Sequence, residues 1–358
     1  MYRDIILQII DAAINGKTLD LSNYINDQEF IRIMKEQTFL PFLYKVDKRK
    51  EFRKYYYQSC LIHEKFNEVG KLVNDILTQN NIPHVFLKGY ELQNLYPDPN
   101  LRMLGDIDLL VENDYFEQAK NILSTNGFIF DMECEHHIGY KKDDIEIELH
   151  NKLFDKEECS SELFDNTFNN ISIKNFDDTF TLLYVIAHYA KHIKMGAGLR
   201  PIIDIYLLIN NKNINHNILL NKLKELNLIQ FFNTILDEIY IIFNDNLISH
   251  NSTNLASNLI DYSLKKGIHG YAENGNPQIN RQINDKGKGN KFIFLFSKIF
   301  PSIGILKNRY EKYYHWFTIP FLYIINFFSL FKKIKNLSKL KNYNKNDYEL
   351  LKQLNLCD

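Results

Sequence analysis

The fold is decided by residues 104–111, which run Leu104-Gly105-Asp106-Ile107-Asp108-Leu109-Leu110-Val111. Successive side chains of a β-strand point to opposite faces of the sheet. A strand over this run therefore places Asp106 and Asp108 on one face and apolar side chains on the other. Two carboxylates are thereby aimed at one point.

The same alternation returns in residues 144–150, which run Asp144-Ile145-Glu146-Ile147-Glu148-Leu149-His150. Either run alone would also suit a solvated strand face. Carboxylates that converge repel each other unless a cation lies between them, and Mg²⁺ takes carboxylate and phosphate oxygens as ligands. The two runs together predict a carboxylate cage for Mg²⁺. Their spacing leaves open whether Glu146 or Glu148 is the third acid, with His150 on the same face.

The composition is that of a globular protein. Of the 358 residues 45% are hydrophobic and 24% are charged, and 22 Tyr and 26 Phe supply material for a core. The four cysteines are too scattered for a zinc knuckle or a redox motif. The N-terminal residues lack the pattern of a secretory signal. We therefore expect a cytoplasmic protein.

Charge is unevenly distributed along the chain. The formal net charge is −1, yet the residues from Lys286 to Lys345 include twelve lysines and one arginine against a single acid, Glu311. Within this basic part residues 317–331 are strongly apolar, but they are fewer than the roughly 20 that a membrane-spanning helix needs. They predict a buried helix, with a peripheral membrane contact or a nucleic-acid contact as alternatives.

The pattern of apolar residues divides the chain into five regions. We predict an N-terminal helical region (1–80), a catalytic core (81–155), a helical domain (156–266), a flexible loop (267–290) and a basic, aromatic helical C-terminal region (291–358).

Within the core the predicted strands are 85–87, 107–111, 128–132, 137–140 and 145–150. Asn113 or Asp114 is expected to cap the helix of the core, and Asp177 or Asp178 the first long helix of the helical domain. The order of elements predicts an α+β fold, in which a mixed β-sheet with flanking helices is followed by a largely α-helical domain.

A resemblance to a known family rests on matched runs in the core, namely Phe86-Leu87-Lys88-Gly89, Leu95-Tyr96-Pro97-Asp98-Pro99, Arg102, Asp106-Ile107-Asp108-Leu109-Leu110-Val111, Asn126-Gly127-Phe128 and Glu148-Leu149-His150. It continues in the helical domain with His188, His192 and Leu199-Arg200-Pro201-Ile202-Ile203-Asp204. In these residues the chain resembles the uncharacterised nucleotidyltransferase family of bacteria, a branch of the polymerase-beta-like nucleotidyltransferase superfamily. The match covers about residues 82–209 and follows the C-terminal third only loosely.

The resemblance implies a nucleotidyltransferase-fold core and a Mg²⁺-dependent enzyme that moves a nucleoside monophosphate from a nucleoside triphosphate (NTP) to an acceptor, with release of pyrophosphate. Asp106 and Asp108 would bind the metal, and Glu148 would be the third carboxylate, which helps to activate the attacking hydroxyl. Two Mg²⁺ ions can stabilise both the attacking and the leaving oxygen.

The resemblance also implies positions for nucleotide binding. Lys88-Gly89 stands where the wider superfamily has a Gly-Ser or Gly-Gly pair that holds the triphosphate, and a lysine there can offer a point charge to a phosphate. Arg102 is expected to reach a phosphate, the alternative being a surface arginine. His150 is interpreted as a neighbour of the metal or phosphate, or simply as a strand-end histidine.

A second polar group is predicted in the helical domain. His188 and His192 are four residues apart and share a helix face, with Arg200 and Asp204 one helix further on. We interpret this face as turned toward the nucleotide. Packing, or a zinc site, are the alternatives.

The motif does not specify the acceptor. Members of the family accompany surface-polysaccharide and peptide-natural-product pathways, so a small-molecule, lipid-linked or peptide acceptor is expected. The alternatives are a toxin-like nucleotidyltransferase that acts on RNA or protein, and a catalytically degenerate nucleotide-binding scaffold.

Overall fold

The computed structural model describes residues 2–155, 161–245, 253–268, 270, 282–284, 287–310, 313–332 and 344–357. Most of the predicted flexible loop (267–290) lies outside the described residues. Within the described residues no helix is both long enough and apolar enough to cross a bilayer.

Five strands form one mixed sheet: β1 (His84–Phe86), β2 (Ile107–Val111), β3 (Ile129–Glu133), β4 (His137–Lys142) and β5 (Ile145–His150). Their order across the sheet is β1-β2-β5-β4-β3. β2 and β5 are parallel, and the other neighbouring strands are antiparallel. The predicted strands and the predicted mixed sheet are confirmed.

Helices precede the sheet, connect some of its strands and follow it. They are α1 (Arg3–Ile14), α2 (Gln28–Glu36), α3 (Leu40–Val46), α4 (Lys50–Gln79), α5 (Lys88–Leu92), α6 (Asn113–Thr125), α7 (Glu162–Asn169), α8 (Asp178–Ile193), α9 (Arg200–Asn211), α10 (His216–Glu225), α11 (Ile229–Phe243) and α12 (Thr253–Lys266). Four further helices lie near the C-terminus, at Lys291–Ile299, Ile303–Arg309, Ile319–Lys332 and Lys345–Gln353. This arrangement confirms the α+β fold with a largely helical part after the sheet.

Two predicted helix caps had different outcomes. The Asp177 carboxylate accepts a hydrogen bond from the Phe180 N–H at the start of α8, as predicted. The predicted cap at Asn113 or Asp114 is wrong, because α6 begins at Asn113 and its N-cap residue is Glu112, which makes no capping bond. The Glu112 carboxylate instead accepts a hydrogen bond of 2.7 Å from the hydroxyl of Ser172, a residue far along the chain.

The sheet has an apolar face that is buried, as the alternation predicts. Ile107, Leu109 and Val111 of β2 pack in one hydrophobic cluster with residues of α4 and α6. Leu110 points the other way and belongs to a larger cluster, built mainly from the N-terminal helices and from α8, α9 and α11. Asp106 and Asp108 alternate with Ile107, Leu109 and Val111, so they lie on the same face of the sheet as Leu110. That face is turned toward the larger cluster of helices.

Candidate active site

Asp108 and Glu148 lie side by side because β2 and β5 run parallel. They are direct partners in the register of the two strands, and Asp108 is almost fully buried whereas Glu148 is partly exposed. Asp106 precedes β2 by one residue and is half-buried. The structure thus brings the three predicted acids to one end of the β2–β5 pair. Glu146 is half-buried on the same strand, nearer its start.

Lys88 contacts the centre of this acidic group. Its Nζ donates a hydrogen bond of 2.7 Å to Asp108 Oδ1, and its backbone has a φ of +43° at the start of α5. Burial disfavours the ammonium, but the charges of Asp108 and Asp106 and the Tyr184 hydroxyl outweigh that effect and raise the pKa of Lys88. The lysine is therefore held in its charged form next to the carboxylates.

The pKa values of the two aspartates shift in opposite directions. The negative charge of Asp108, followed by burial, raises the pKa of Asp106 to about 7. Burial acts in the same direction on Asp108, but Lys88 and the hydrogen bond from His150 more than compensate and hold the pKa of Asp108 below its usual range. The shift of Asp106 reflects its repulsion by Asp108, and a cation bound between the two carboxylates would relieve that repulsion.

His150 connects two of the acids. Its Nε2 lies 3.1 Å from Asp108 Oδ1 and 3.2 Å from Glu148 Oε2. Burial opposes the imidazolium, but the hydrogen bonds to these two carboxylates raise the pKa of His150 above its ordinary value. The structure thus places His150 beside two of the acids, and its predicted contact with a metal or phosphate stays a prediction.

Two histidines that sequence analysis missed complete the cluster. His137 Nε2 lies 3.6 Å from Glu148 Oε1, and its Nδ1 lies 3.1 Å from His136 Nε2. His136 in turn contacts the Asp155 carboxylate through Nδ1. Burial lowers the pKa of His137 to about 4, so its ring is neutral. The signal in the sequence is the pair of adjacent histidines that precedes the acidic strand β5.

Two groups of three side chains in the described residues are close enough to share a metal ion. One is Asp108, Glu148 and His150, and the other is His136, His137 and His150. Within each group the candidate ligand atoms lie within 4.8 Å of one another. Among the described residues, His188 and His192 belong to neither group.

Arg102 is buried in an ion pair. Its Nε and Nη2 donate hydrogen bonds of 2.9 and 2.8 Å to the two carboxylate oxygens of Asp204, which also accepts a bond of 2.8 Å from the Tyr96 hydroxyl. A side chain at Gly89 would place its Cβ 2.7 Å from Arg102 Nη1, so the Arg102 side chain would have to shift to admit it. The pair fastens the segment before β2 to helix α9, and the predicted phosphate contact of Arg102 stays a prediction.

Arg200 lies on the same side as the acids. Its Nη1 donates a hydrogen bond of 3.0 Å to the Met103 carbonyl. Its charge partly opposes the rise in the pKa of Asp106. Burial, reinforced by the neighbouring Arg102, lowers the pKa of Arg200 to about 10. A bound anion would stabilise the charged form of Arg200 against the nearby charge of Arg102. Because Arg102 is already paired with Asp204, Arg200 is the better placed of the two arginines to bind an anion.

His188 and His192 line the wall of α8 that faces Lys88. Their ring centroids are 4.1 Å apart. Burial is the main reason why the pKa of His188 falls well below its ordinary value, and the charges of His192 and Lys88 add to it. The charge of Lys88 therefore acts on His188, and the interpretation that this face of α8 is turned toward the nucleotide stays a prediction.

The family comparison agrees with this geometry. The model of a family described as uncharacterised nucleotidyltransferase matches residues 25–239, which is more than half of the chain, and the chain belongs to that family. The resemblance noted in the sequence is thereby confirmed, and the protein is a nucleotidyltransferase, an enzyme class whose substrate is a nucleoside triphosphate. No curated protein and no solved structure matches the chain.

Proposed function

We propose that this enzyme uses Mg²⁺ to transfer a nucleoside monophosphate from an NTP to a hydroxyl or phosphate of an acceptor. The acceptor oxygen attacks the α-phosphorus, the bond from that phosphorus to the oxygen bridging it to the β-phosphorus breaks, and pyrophosphate leaves with that oxygen. The observation that carries the proposal is the direct register pairing of Asp108 with Glu148, with Asp106 two residues before Asp108.

The three acids fit Mg²⁺ as its ligands. They offer carboxylate oxygens, which this ion prefers over nitrogen. The raised pKa of Asp106 supports a cation at this place, because it reflects repulsion by Asp108 that a cation would relieve. When bound, the metal neutralises charge on the phosphates and on the leaving pyrophosphate.

Glu148 is the proposed proton acceptor for an attacking hydroxyl. Its side chain is more exposed than those of His137 and His150, which contact it, so an acceptor can reach it. His150 contacts Oε2 of Glu148, and His137 lies 3.6 Å from Oε1. The two histidines thereby fix the orientation of the carboxylate. This contact with the cluster is why we favour Glu148 over Glu146 as the third acid.

Lys88 and Arg200 are the proposed sources of positive charge for the triphosphate. Lys88 already lies against the acids, and Arg200 borders Asp106 from the side of α9. Gly89 and the Arg102–Asp204 pair shape the segment that carries these groups, and His188 and His192 form the adjoining wall. In this proposal residues 81–155 are the catalytic core, helical regions flank it, and the enzyme works in the cytoplasm, where NTPs are available.

The chemistry can be tested by label transfer. The full chain is incubated with each of the four α-labelled NTPs, Mg²⁺ and candidate acceptors: sugar phosphates, lipid-linked sugars, peptides, RNA and a protein extract. We expect transfer of label and release of pyrophosphate from at least one NTP, and loss of both in Asp106→Asn combined with Asp108→Asn. Asp131→Asn, which changes one acid of an ion pair with Lys141 away from the site, is the control for the loss of a carboxylate.

The outcomes separate the alternatives. Label on RNA or on a protein would favour a toxin-like enzyme. Transfer that survives in the double variant would show that the site is assigned to the wrong residues. A chain that binds an NTP with Mg²⁺ but transfers label to none of the acceptors would favour the nucleotide-binding scaffold.

A further inference from the structure

Exposed apolar side chains are concentrated in one part of the molecule. Of the 21 large hydrophobic residues that are exposed in the described residues, 13 lie between Phe292 and Phe328. Trp316 is 82% exposed and Phe292 80%. We call the three helices Lys291–Ile299, Ile303–Arg309 and Ile319–Lys332, with the segment 313–318, the aromatic layer. A water-facing surface with this many large apolar groups marks a place that another body covers.

The inside of the aromatic layer is held by polar contacts. Asn326 is fully buried, its Nδ2 donates to the carbonyls of Lys298 and Ile299 at 2.8 and 3.0 Å, and its Oδ1 accepts a hydrogen bond from Arg309. The Tyr323 hydroxyl donates to the Pro301 carbonyl at 3.0 Å. A water-soluble helical layer usually buries its apolar groups and exposes its polar ones. Here several polar groups are inside while many rings point outward.

The charge of the same region indicates what covers it. From Lys286 to Lys345 the chain has twelve lysines and one arginine against one acid. A segment whose sequence is strongly basic and whose described side chains include many exposed apolar groups is matched by an anionic lipid bilayer, whose headgroups attract lysine and whose acyl boundary accepts aromatic and aliphatic side chains. Tryptophan and tyrosine, which occur here as Trp316 and Tyr313, are the residues most typical of that boundary.

We propose that the aromatic layer binds the surface of an anionic membrane, with its exposed rings in the boundary between headgroups and acyl chains. Nucleic acid would also attract the lysines. Stacking on bases, however, uses a few aromatic rings, and the exposed set here also contains aliphatic residues such as Ile303, Ile324 and Ile325, which have no such role. The proposal is independent of the reaction proposed for the acidic site.

Trp316 makes the test direct, because it is the single tryptophan of the chain. The full chain is mixed with vesicles of phosphatidylcholine alone or of phosphatidylcholine with phosphatidylglycerol. We expect co-sedimentation and a blue shift of tryptophan emission with the anionic vesicles only, with both effects decreasing at high salt. Emission unchanged by every vesicle, or binding that does not depend on lipid charge, would overturn the proposal.

A pair of variants checks that the layer itself is responsible. Phe296→Ser with Phe321→Ser removes two exposed rings and should lower the vesicle partition coefficient at least about tenfold. Phe130→Ser, an exposed ring of similar accessibility on β3, is the matched control and should bind like the wild type. Equal binding by both variants, or tight binding of single-stranded RNA without vesicle binding, would count against a membrane surface.

Discussion

Lys88 and Asp108 form an ion pair in the interior of the protein, with 2.7 Å between the ammonium nitrogen and the carboxylate oxygen. Lys88 follows the end of β1 by two residues, and Asp108 lies within β2. The pair therefore joins two segments that frame the candidate active site. It places positive charge against the acid that the proposed metal would also contact.

Replacing Lys88 should leave the buried Asp108 carboxylate without the ammonium and with only its contact to His150 among those described above. For Lys88→Met we expect the free energy of unfolding to fall by about 3 kcal/mol, as when one member of a buried pair is removed. Mg²⁺ should recover more of that stability in the variant than in the wild type, since it supplies the missing positive charge. Urea denaturation with and without Mg²⁺ measures both effects.

Lys141→Met is the control for that experiment. Lys141 pairs with Asp131 at 2.8 Å on the protein surface, where such a pair contributes about 1 kcal/mol or less. If Lys88→Met lost no more stability than Lys141→Met, Asp108 would not depend on the ammonium.

The two buried arginines should have different effects when changed. Arg102→Gln breaks the paired contact with Asp204, so we expect a loss of about 3–5 kcal/mol in stability. Arg200→Gln removes one hydrogen bond to a carbonyl and a positive charge near Asp106, so we expect weaker NTP binding with a smaller change in stability. Denaturation and calorimetric titration of NTP, done on both variants, would contradict this assignment if Arg102→Gln were stable and impaired only in binding.

Gly89 should not tolerate a side chain. In Gly89→Ala the new Cβ would approach Arg102 Nη1, which is held by the bonds of that arginine to Asp204, and we expect a loss of about 1–3 kcal/mol. Gly105→Ala is the matched control, because nothing lies within 4 Å of its Cβ position. Thermal unfolding of the two variants compares them, and similar melting temperatures would show that the segment around Arg102 gives way.

Glu238 predicts a dependence of stability on pH. It is fully buried in α11, neither of its carboxylate oxygens has a hydrogen-bond partner among the described residues, and burial raises its pKa well above the ordinary value of 4.5. The folded protein thus binds this proton more tightly than the unfolded chain. Protonated Glu238 therefore contributes most to the free energy of unfolding below pH 4.5. That free energy falls by about 1.4 kcal/mol per pH unit as the pH rises from there toward the pKa of Glu238 in the folded protein.

Glu238→Gln removes that proton. We expect the variant to be more stable than the wild type at pH 8 and to lose the advantage near pH 4, in urea denaturation followed across this range. Glu225→Gln changes an exposed glutamate at the end of α10 and should follow the wild type at every pH. Parallel curves for the wild type and Glu238→Gln would mean that Glu238 is ionised in the folded protein.

The sequence was sufficient for features that depend on local patterns. Alternation of acidic and apolar residues predicted the positions of β2 and β5 in the sequence. It also predicted which of their side chains share a face, since strand geometry alone sets this. The cap at Asp177 was predictable because a capping side chain bonds to a backbone N–H three residues away.

Features that depend on distant residues were not predictable in this way. The parallel register that sets Asp108 beside Glu148 is fixed by tertiary packing, and the approach of His137 to Glu148 follows from that sheet order. The Glu112 side chain does not cap the N-terminus of α6 but accepts a hydrogen bond from Ser172. Arg102, expected near a phosphate from its position before β2, pairs with Asp204 over a hundred residues away.

In the proposed reaction, Asp106 and Asp108 bind an NTP together with Mg²⁺. Its most direct test is calorimetric titration of the wild type, the Asp106→Asn/Asp108→Asn double variant and the Asp131→Asn control with each of the four NTPs, with and without Mg²⁺. We expect the wild type and the control to bind at least one NTP only when Mg²⁺ is present, and the double variant to bind it at least about tenfold more weakly. Mg²⁺-dependent binding of equal strength in the double variant, or no binding of any NTP by the wild type, would contradict it.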